Sequence, residues 1–439
     1  TPEYGYTEDL TYSGDITAKN TAKSTTGEKS TTTYAETSID WNITDRQRLF
    51  YDASISIGRN YYDNTYLESD GYDIISHTKE NTFGIFGTIG YVNNLNPRNS
   101  LSLRVMEFYR HYDDEYRGTL PADKNTSQSE TIVWPVYTYK PNQKWMFNFR
   151  PLGFSVAYWK TQTNSETYLS SRGAVIMKYL IDKHNSLEYG IYVGNSNPNA
   201  AARSEVEQIV NRYEVVRGNP ELKKTIFSTN YIDYSLTQRN WQLMAHLEYE
   251  RLDNMTVDTY TPEGERLVHS FGNDGCLHNL SLNIQQTLFL LNRNLQLKGG
   301  INLERNILAT KEGATLSHID CNLKAIYHIG NFSLNGYYQT PQKKLFGNFS
   351  KSAADYGISA AYGNKGFYAE IGARRMFLQD KARQSYFDHD YYHYDIKNLR
   401  DANGPWLYLR LSYSIDYGRK SSRQDIEAGS TGGSAILHK

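Results

Sequence analysis

The segment Trp406–Tyr417, WLYLRLSYSIDY, decides the fold class of this chain. Every second position carries a large apolar residue: Leu407, Leu409, Leu411, Tyr413, Ile415 and Tyr417. The positions between them carry Tyr408, Arg410, Ser412, Ser414 and Asp416. A period of two is typical of a β-strand with one apolar and one polar face. The same alternation returns at 280–290 and 295–304, so the sequence predicts an all-β protein.

Composition leaves two classes of all-β protein open. The chain has 439 residues, 39% of them hydrophobic and 22% charged, with a mean hydropathy of -0.66, which would suit a soluble protein. It also has 38 Tyr, 16 Phe and 6 Trp, and no stretch approaches the roughly 20 apolar residues of a membrane-spanning helix. A membrane-spanning barrel remains compatible, because its strands hide their hydrophobicity by alternating it.

Charge and motifs exclude several functions. The formal net charge is -1, which argues against a nucleic acid partner. Cys276 and Cys321 lack the paired spacing of a zinc or redox motif, so we expect two thiols, with a disulfide in an oxidising compartment as the alternative. There is no nucleophile elbow, zinc-protease helix or phosphate loop. The sequence therefore predicts no catalytic residues, no metal site and no cofactor.

The lengths of the connections between strands predict how the strands are arranged. Short segments rich in Asn, Gly, Pro and Asp, the residues that tight turns require, alternate along the chain with long polar segments. The short ones are 44–47, 93–99, 141–143, 182–185, 238–240, 291–294, 330–331 and 363–366. The long ones are 60–80, 114–128, 196–224, 253–275, 340–354 and 379–404.

This order predicts a large antiparallel up-and-down transmembrane β-barrel of about 18 strands, with short periplasmic turns and long extracellular loops. Residues 1–420 would form the barrel, complete or as the C-terminal part of a larger one. The Gly/Ser-rich residues 421–439 would form a flexible polar periplasmic tail. In the strand Trp406–Tyr417 we expect Leu407, Leu409, Leu411 and Ile415 to face lipid.

One motif resembles a known family. The segment Arg217–Lys224, RGNPELKK, is followed by a predicted strand. It resembles the Gly-Asn-Pro-x-Leu-Lys element of TonB-dependent receptors, particularly the Bacteroidetes outer-membrane β-barrel proteins. In that family the element closes a long extracellular loop and starts a descending strand. The matching residues are Gly218, Asn219, Pro220 and Leu222. The segment 271–275 and the closing strand also resemble the family.

The resemblance implies a barrel in the outer membrane of a Gram-negative bacterium that captures an extracellular nutrient and imports it. Implied partners are outer-membrane lipid, the nutrient, a plug domain in the same gene product, a surface lipoprotein and TonB. Nothing before Tyr34 resembles the plug or its coupling box, so the chain is either the C-terminal portion of a longer receptor or a relative without a plug. Two alternatives stay open: a non-energised barrel serving as adhesin, scaffold or passive pore, and a soluble multi-sheet binding protein.

The densest polar cluster, in the last long connection, is the predicted ligand-binding site. Its residues are Tyr386, Phe387, Asp388, His389, Asp390, Tyr391, Tyr392, His393 and Tyr394. Imidazole and carboxylate groups together would suit a metal ion, but an exposed extracellular loop that contacts a ligand is the simpler interpretation. Stacked tyrosine rings would suit a sugar or another flat ligand.

Overall fold

The structure is a computed structural model that describes residues 4–12, 18–68, 71–204, 206–311, 313–376, 383–389, 392–398 and 406–414. Side chains are described for 25–68, 71–204, 206–311, 313–376 and 406–414. Within these ranges all regular elements are β-strands. The described part of the chain has no helix of the length and apolarity needed to span a membrane. The predicted tail, 421–439, lies outside the described residues.

The described residues form 26 strands. They are β1 (Tyr4–Tyr12), β2 (Ala18–Thr44), β3 (Gln47–Glu68), β4 (Asp73–Asn96), β5 (Asn99–Arg117), β6 (Ala122–Tyr139), β7 (Trp145–Lys160), β8 (Ser165–Leu180), β9 (Asn185–Ser196), β10 (Glu207–Ile209), β11 (Glu214–Arg217), β12 (Thr225–Thr237), β13 (Trp241–Asp253), β14 (Thr256–Glu263), β15 (Arg266–Asn273), β16 (Cys276–Leu290), β17 (Leu295–Ala309), β18 (Ala314–Ile329), β19 (Phe332–Gln339), β20 (Lys343–Phe346), β21 (Asn348–Lys351), β22 (Asp355–Asn364), β23 (Phe367–Arg374), β24 (Arg383–His389), β25 (Tyr392–Asn398) and β26 (Trp406–Tyr413).

Most of these strands form one continuous antiparallel meander. From β2 it runs through consecutive strands to β9, continues through β12, β13, β16 to β19, β22 and β23, and ends at β26, a run of 17 strands. The strand β1 pairs with the start of β2, from Ala18 to Thr26. The prediction of a large antiparallel up-and-down sheet is confirmed.

The two ends of the meander differ. At one end, the turn end, the connections are short and lie at 45–46, 97–98, 140–144, 181–184, 238–240, 291–294, 330–331 and 365–366. These are the turns predicted from the sequence. At the other end, the loop end, the connections 197–224, 254–275 and 340–354 are long and carry β10, β11, β14, β15, β20 and β21.

Two predicted long loops are wrong. The segment 60–80 is mostly strand, because β3 and β4 stay paired up to Leu67 and Asp73. Likewise 114–128 is mostly strand, because β5 and β6 pair up to Tyr116 and Ala122. Backbone hydrogen bonds between neighbouring strands form whatever the side chains are. The prediction treated segments that are polar on both faces as loops, and here such segments are strands.

The two faces of the sheet alternate as predicted. On β26, Leu407, Leu409 and Leu411 are 71%, 67% and 62% exposed. On the opposite face, the Tyr408 hydroxyl donates a hydrogen bond to Glu370 at 3.0 Å. These sides are called the apolar face and the polar face below. Ile415 lies outside the described residues.

A second, smaller sheet covers part of the loop end. It has four strands in the order β10, β11, β15, β14, and β11 runs parallel to β15. This loop sheet packs against the tall strands β3 and β4, where Ile209 contacts a buried pair formed by Tyr66 and Ile74. Both of those residues lie on the polar face, so the loop sheet leans over that face.

Candidate ligand-binding site

The site begins where β8 and β9 separate. The strand β8 pairs with β7 as far as Ser165, but with β9 only from Gly173 to Leu180. The connection 197–224, called the strap from here on, contacts the edge of β8 that β9 leaves unpaired. Its Lys224 ammonium donates hydrogen bonds to the carbonyl of Leu169 at 2.8 Å and to the Ser170 hydroxyl at 2.7 Å.

Arg203 is the buried anchor of the strap and is only 2% exposed. Its guanidinium donates hydrogen bonds to Glu166 at 2.9 Å, to the Tyr168 hydroxyl and to the carbonyl of Leu222. It also lies 5.1 Å from the ring centre of Trp159 and 5.2 Å from that of Tyr168. Burial lowers the pKa of Arg203, and the Glu166 carboxylate opposes the change. A charge this deep is tolerated because it is paired and hydrogen-bonded.

The family motif holds the strap in place. A Cβ at Gly218 would lie 2.4 Å from the carbonyl oxygen of Ser204, so only glycine fits there. The next residue, Asn219, donates from its backbone to the carbonyl of Ala202 at 2.7 Å and from its side chain to the carbonyl of Phe271 at 2.8 Å. The motif therefore ties two parts of the strap to each other and to β15.

The rest of the motif continues this role. Pro220 begins a turn, in which the backbone of Glu221 donates to the Asn219 side chain at 2.9 Å. Leu222 is completely buried. Just beyond, Asn273 of β15 exchanges two hydrogen bonds with the backbone of Lys223. The strand β12 starts directly after the motif, as the family pattern predicts.

A cavity of about 410 Å³ lies between the strap and the polar face of β5 to β8. Aromatic rings and polar groups share its lining. The aromatic residues are Phe108, Tyr112, Tyr158, Trp159 and Tyr168, and the main polar residues are Arg110, Gln128, Ser129, Glu130, Asn195, Ser196, Asn197, Asn199 and Arg203. The volume falls in the range of about 300–1,000 Å³ that small-molecule sites occupy.

A second ion pair stands beside the cavity. The Arg172 guanidinium lies 2.5 Å from Glu130, a lining residue, and donates to the backbone carbonyl of Asn195 at 3.2 Å. Both members of the pair are largely buried. Arg172 thus ties the wall of the cavity to the end of β9.

A carboxyl pair lies buried near the loop end of the tall strands. Glu80 of β4 and Asp114 of β5 are directly paired and neither is exposed. Burial raises the pKa of Asp114 to about 7; the nearby Glu80 adds to the rise and Lys124 opposes it. Ionising both carboxyl groups is unfavourable, because two negative charges would then lie close together away from water.

In the loop sheet, His269 lies between two carboxylates. Its Nε2 is 2.8 Å from Asp258 and its Nδ1 is 3.5 Å from Glu214, which is fully buried. Burial alone would lower the pKa of His269, but the two carboxylates outweigh it and raise the pKa to about 9. The protonated ring joins β11, β15 and β14.

The predicted ligand cluster is only partly described. Tyr386, Phe387, Asp388 and His389 lie on β24, and Tyr392, His393 and Tyr394 lie on β25, which pairs with it. Asp390 and Tyr391, and the side chains of the whole cluster, lie outside the described residues. Ligand binding there stays a prediction. Both cysteines are free thiols.

Sequence reasoning missed the cavity. Its residues come from five strands and the strap, spread from Phe108 to Arg203, and no local motif joins them. The usable signal was the position of the long polar connection 196–224 directly before the RGNPELKK motif. A motif that braces a loop marks a loop with a fixed structure, where binding residues concentrate.

An all-β antiparallel meander of 17 strands with one exposed apolar face is consistent with a large β-barrel. The fold is similar to that of TonB-dependent receptors with solved structures. No protein-family model and no curated protein matches the sequence.

Solved structures with this fold include three of particular relevance. The copper transporter OprC shares 10% identity with a TM-score of 0.58, over 94% of this chain and 80% of that one. Unliganded ferric citrate transporter FecA shares 12% identity with a TM-score of 0.62, over 90% and 62%. The siderophore receptor PiuA from Acinetobacter baumannii shares 10% identity with a TM-score of 0.60, over 93% and 66%. At these identities the likeness shows the fold alone.

Proposed function

We propose that this chain is the barrel of a TonB-dependent-type receptor in the outer membrane of a Gram-negative bacterium. It captures an extracellular nutrient at the loop end and passes it along the polar face, which lines the lumen. One observation carries the proposal: the sheet exposes a continuous apolar face while a braced strap encloses a cavity on the other face.

The apolar face supports the membrane location. Leu407, Leu409 and Leu411 belong to a large set of exposed apolar side chains that continues across the sheet, for example at Ile371, Ile358 and Leu334. A spanning strand needs about 9–11 residues, and β22 and β12 have 10 and 13. Because open sheet edges are not tolerated in hydrocarbon, the sheet closes into a barrel.

The loop end supports ligand capture. The tall strands β3 and β4, with 22 and 24 residues, extend well beyond the membrane and support the strap and the loop sheet. In this proposal the cavity lies outside the membrane, where a ligand arrives first. The predicted cluster Tyr386–Tyr394 belongs to a connection at the same end and contributes to capture in this proposal.

Energised import requires partners. In this proposal a plug domain, encoded in the same gene product, closes the lumen and TonB acts on it, while a surface lipoprotein assists capture. The gene sequence upstream of Thr1 tests this directly. Uptake that persists after TonB is deleted would instead identify a passive pore.

Membrane location is tested with the full natural gene product. We expect it in the outer-membrane fraction, dependent on detergent for solubility, with a gel mobility that changes on heating. Protease added to whole cells should reach the loop end and spare the turn end. A product that is soluble without detergent would contradict the proposal.

A further inference from the structure

We propose that one proton, shared between Glu80 and Asp114, controls whether part of the strap is docked on the tall strands. The part concerned is 206–212, called the docking segment below. Mildly acidic pH keeps this segment docked, and a rise of pH through neutrality loosens it. This property goes beyond the proposed function and does not depend on it, because it concerns the docking of a segment of the chain and not the transported molecule.

The docking segment crosses the polar face of the tall strands. At one end, Glu207 lines a small pocket together with Lys124 of β6. At the other end, the backbone N–H of Arg212 donates to the Glu68 carboxylate of β3 at 3.2 Å. Between these ends, Ile209 packs against β3 and β4. Since β10 in this segment pairs with β11, whatever holds the docking segment also holds the loop sheet.

The carboxyl pair lies at the level of this crossing. Glu80 of β4 and Asp114 of β5 are direct cross-strand neighbours, and Asp114 is in turn paired with Lys124. Neither carboxyl side chain is exposed. The sheet by itself would leave its polar face open to water, so we infer that the docking segment buries the pair.

The hydrogen bonds around the pair require a proton. The side-chain amide of Asn60 donates to Glu80 at 2.6 Å, which suits an ionised Glu80. Among the described residues, no donor lies within hydrogen-bonding distance of either oxygen of Asp114. An ionised Asp114 would be a buried charge without a hydrogen bond, next to a second charge of the same sign. A protonated Asp114 instead donates to Glu80, its neighbour, and satisfies both groups.

The balance of charges gives the same answer. Lys124 is the cation that faces the pair, and it compensates one carboxylate but not two. The charged groups of the docking segment have partners of their own: Arg212 lies 3.6 Å from Glu68, and Glu207 lies 3.5 Å from Arg217. Full ionisation of the pair therefore leaves one buried negative charge uncompensated.

The remaining titratable groups do not alter this balance. Those on the polar face around the pair belong to Tyr62, Tyr112, Tyr116 and Arg110. Tyrosine side chains carry no charge near neutral pH, and burial raises the pKa of Tyr112 further. Arg110 lies about 13 Å along β5 from Asp114. His77 and His111 lie on the other face of the sheet, because successive residues of a strand point to opposite faces.

Docking and proton uptake are therefore linked. In the docked state, burial and the nearby Glu80 raise the pKa of Asp114 to about 7, from 3.8 ordinarily. When the segment lifts, water reaches the pair and the pKa returns toward its ordinary value. Between these two values the docked form holds a proton that the undocked form has lost. Rising pH therefore favours undocking in this window.

The test is hydrogen exchange of the detergent-solubilised full protein, measured by mass spectrometry in a peptide covering 206–212 at pH 5, 6, 7 and 8. Intrinsic exchange also quickens with pH, so each rate is divided by the rate of Asp114→Asn at the same pH. The amide of that variant donates to Glu80 at every pH and keeps the segment docked. We expect the ratio to rise by up to about tenfold per pH unit and to level off above about pH 7.

Glu80→Gln tests the pair from its other side. The new amide donates to Asp114, which then ionises opposite Lys124 without a second acid beside it. We expect its exchange rate, divided by that of Asp114→Asn, to be independent of pH. Asp113→Asn is the matched control, because Asp113 is exposed on the other face of β5, and it should keep the pH dependence of wild type.

Three results would overturn the inference: the ratio stays constant with pH, it falls as pH rises, or Glu80→Gln keeps the pH dependence of wild type. If Asp114→Asn does not fold, Glu80→Gln replaces it as the reference, because both variants lack the shared proton. A wild-type ratio that then stays constant with pH contradicts the inference in the same way.

Discussion

The side-chain amide of Asn219 donates a hydrogen bond to the backbone carbonyl of Phe271 at 2.8 Å, and this bond is one of several that join the strap to β15. The two residues are far apart in sequence, yet both lie in segments that resemble one family. Each segment supplies one side of a contact at the loop end.

Removing the brace should loosen the loop sheet without unfolding the meander. We expect Asn219→Ala to lower the free energy of local opening by about 1 kcal/mol, because the half-buried Phe271 carbonyl loses its hydrogen bond donor. Hydrogen exchange at the β11 and β15 amides, measured by mass spectrometry, should quicken while β12 and β13 stay protected. Asn219→Asp keeps the acceptor for Glu221 but loses the donor to Phe271. If this variant exchanged like wild type, the bond to Phe271 would not be the brace.

Arg203 should control how firmly the strap covers the cavity. Arg203→Met leaves Glu166, whose side chain is 33% exposed, without its partner and removes the hydrogen bonds to Tyr168 and Leu222, at a cost of about 1–3 kcal/mol. We expect the strap to become sensitive to limited proteolysis within 197–224. The control is Arg217→Met, since Arg217 forms more exposed pairs with Glu207 and Glu263, which are worth about 0–1 kcal/mol. If protease cleaved both variants equally fast within 197–224, Arg203 would not be the residue that anchors the strap.

The fold was predictable because its signals are local. The alternation in Trp406–Tyr413 indicates which residues lie on each face of the strand. The residues at 45–46 and 330–331 are typical of tight turns and so indicate the turn end. Long polar strands such as β3 were not predictable. Where both faces of a strand carry polar residues, the sequence has no apolar–polar alternation to indicate a strand.

The cavity was not predictable for a different reason. Arg203 and Glu166 are 37 residues apart, and only the register of β8 and the path of the strap bring them together. Nothing in the sequence near either residue specifies the other. The RGNPELKK motif identified where the strap is held, but not what it encloses.

The buried pair Glu80 and Asp114 predicts a pH effect on stability. The pKa of Asp114 is raised to about 7 in the folded protein, from 3.8 ordinarily. Between these values the folded state holds a proton that the unfolded state has lost, so stability falls as pH rises through this window. Asp114→Asn removes the ionisation. At pH 8 we expect it to be more stable than wild type by on the order of 1 kcal/mol, and at pH 4 the advantage should vanish.

Urea unfolding in detergent at both pH values measures this difference. The control is Asp113→Asn, whose side chain is exposed on the other face of β5 and which should show no such pH dependence. A stabilisation by Asp114→Asn that was the same at pH 4 and pH 8 would mean that removing the charge is not its cause.

The assigned faces of β26 predict opposite outcomes for two charges placed three residues apart. Leu409 is 67% exposed on the apolar face, and a charge facing lipid near mid-membrane costs a few kcal/mol at most, less for acids than for bases. Ser412 lies on the polar face with Tyr408. We expect Leu409→Asp to reduce the fraction of folded barrel, seen as loss of the heat-modifiable band and of the protein in the outer membrane, while Ser412→Asp assembles normally. Equal effects of the two substitutions would refute the assigned facing, and with it the proposal that this sheet meets lipid.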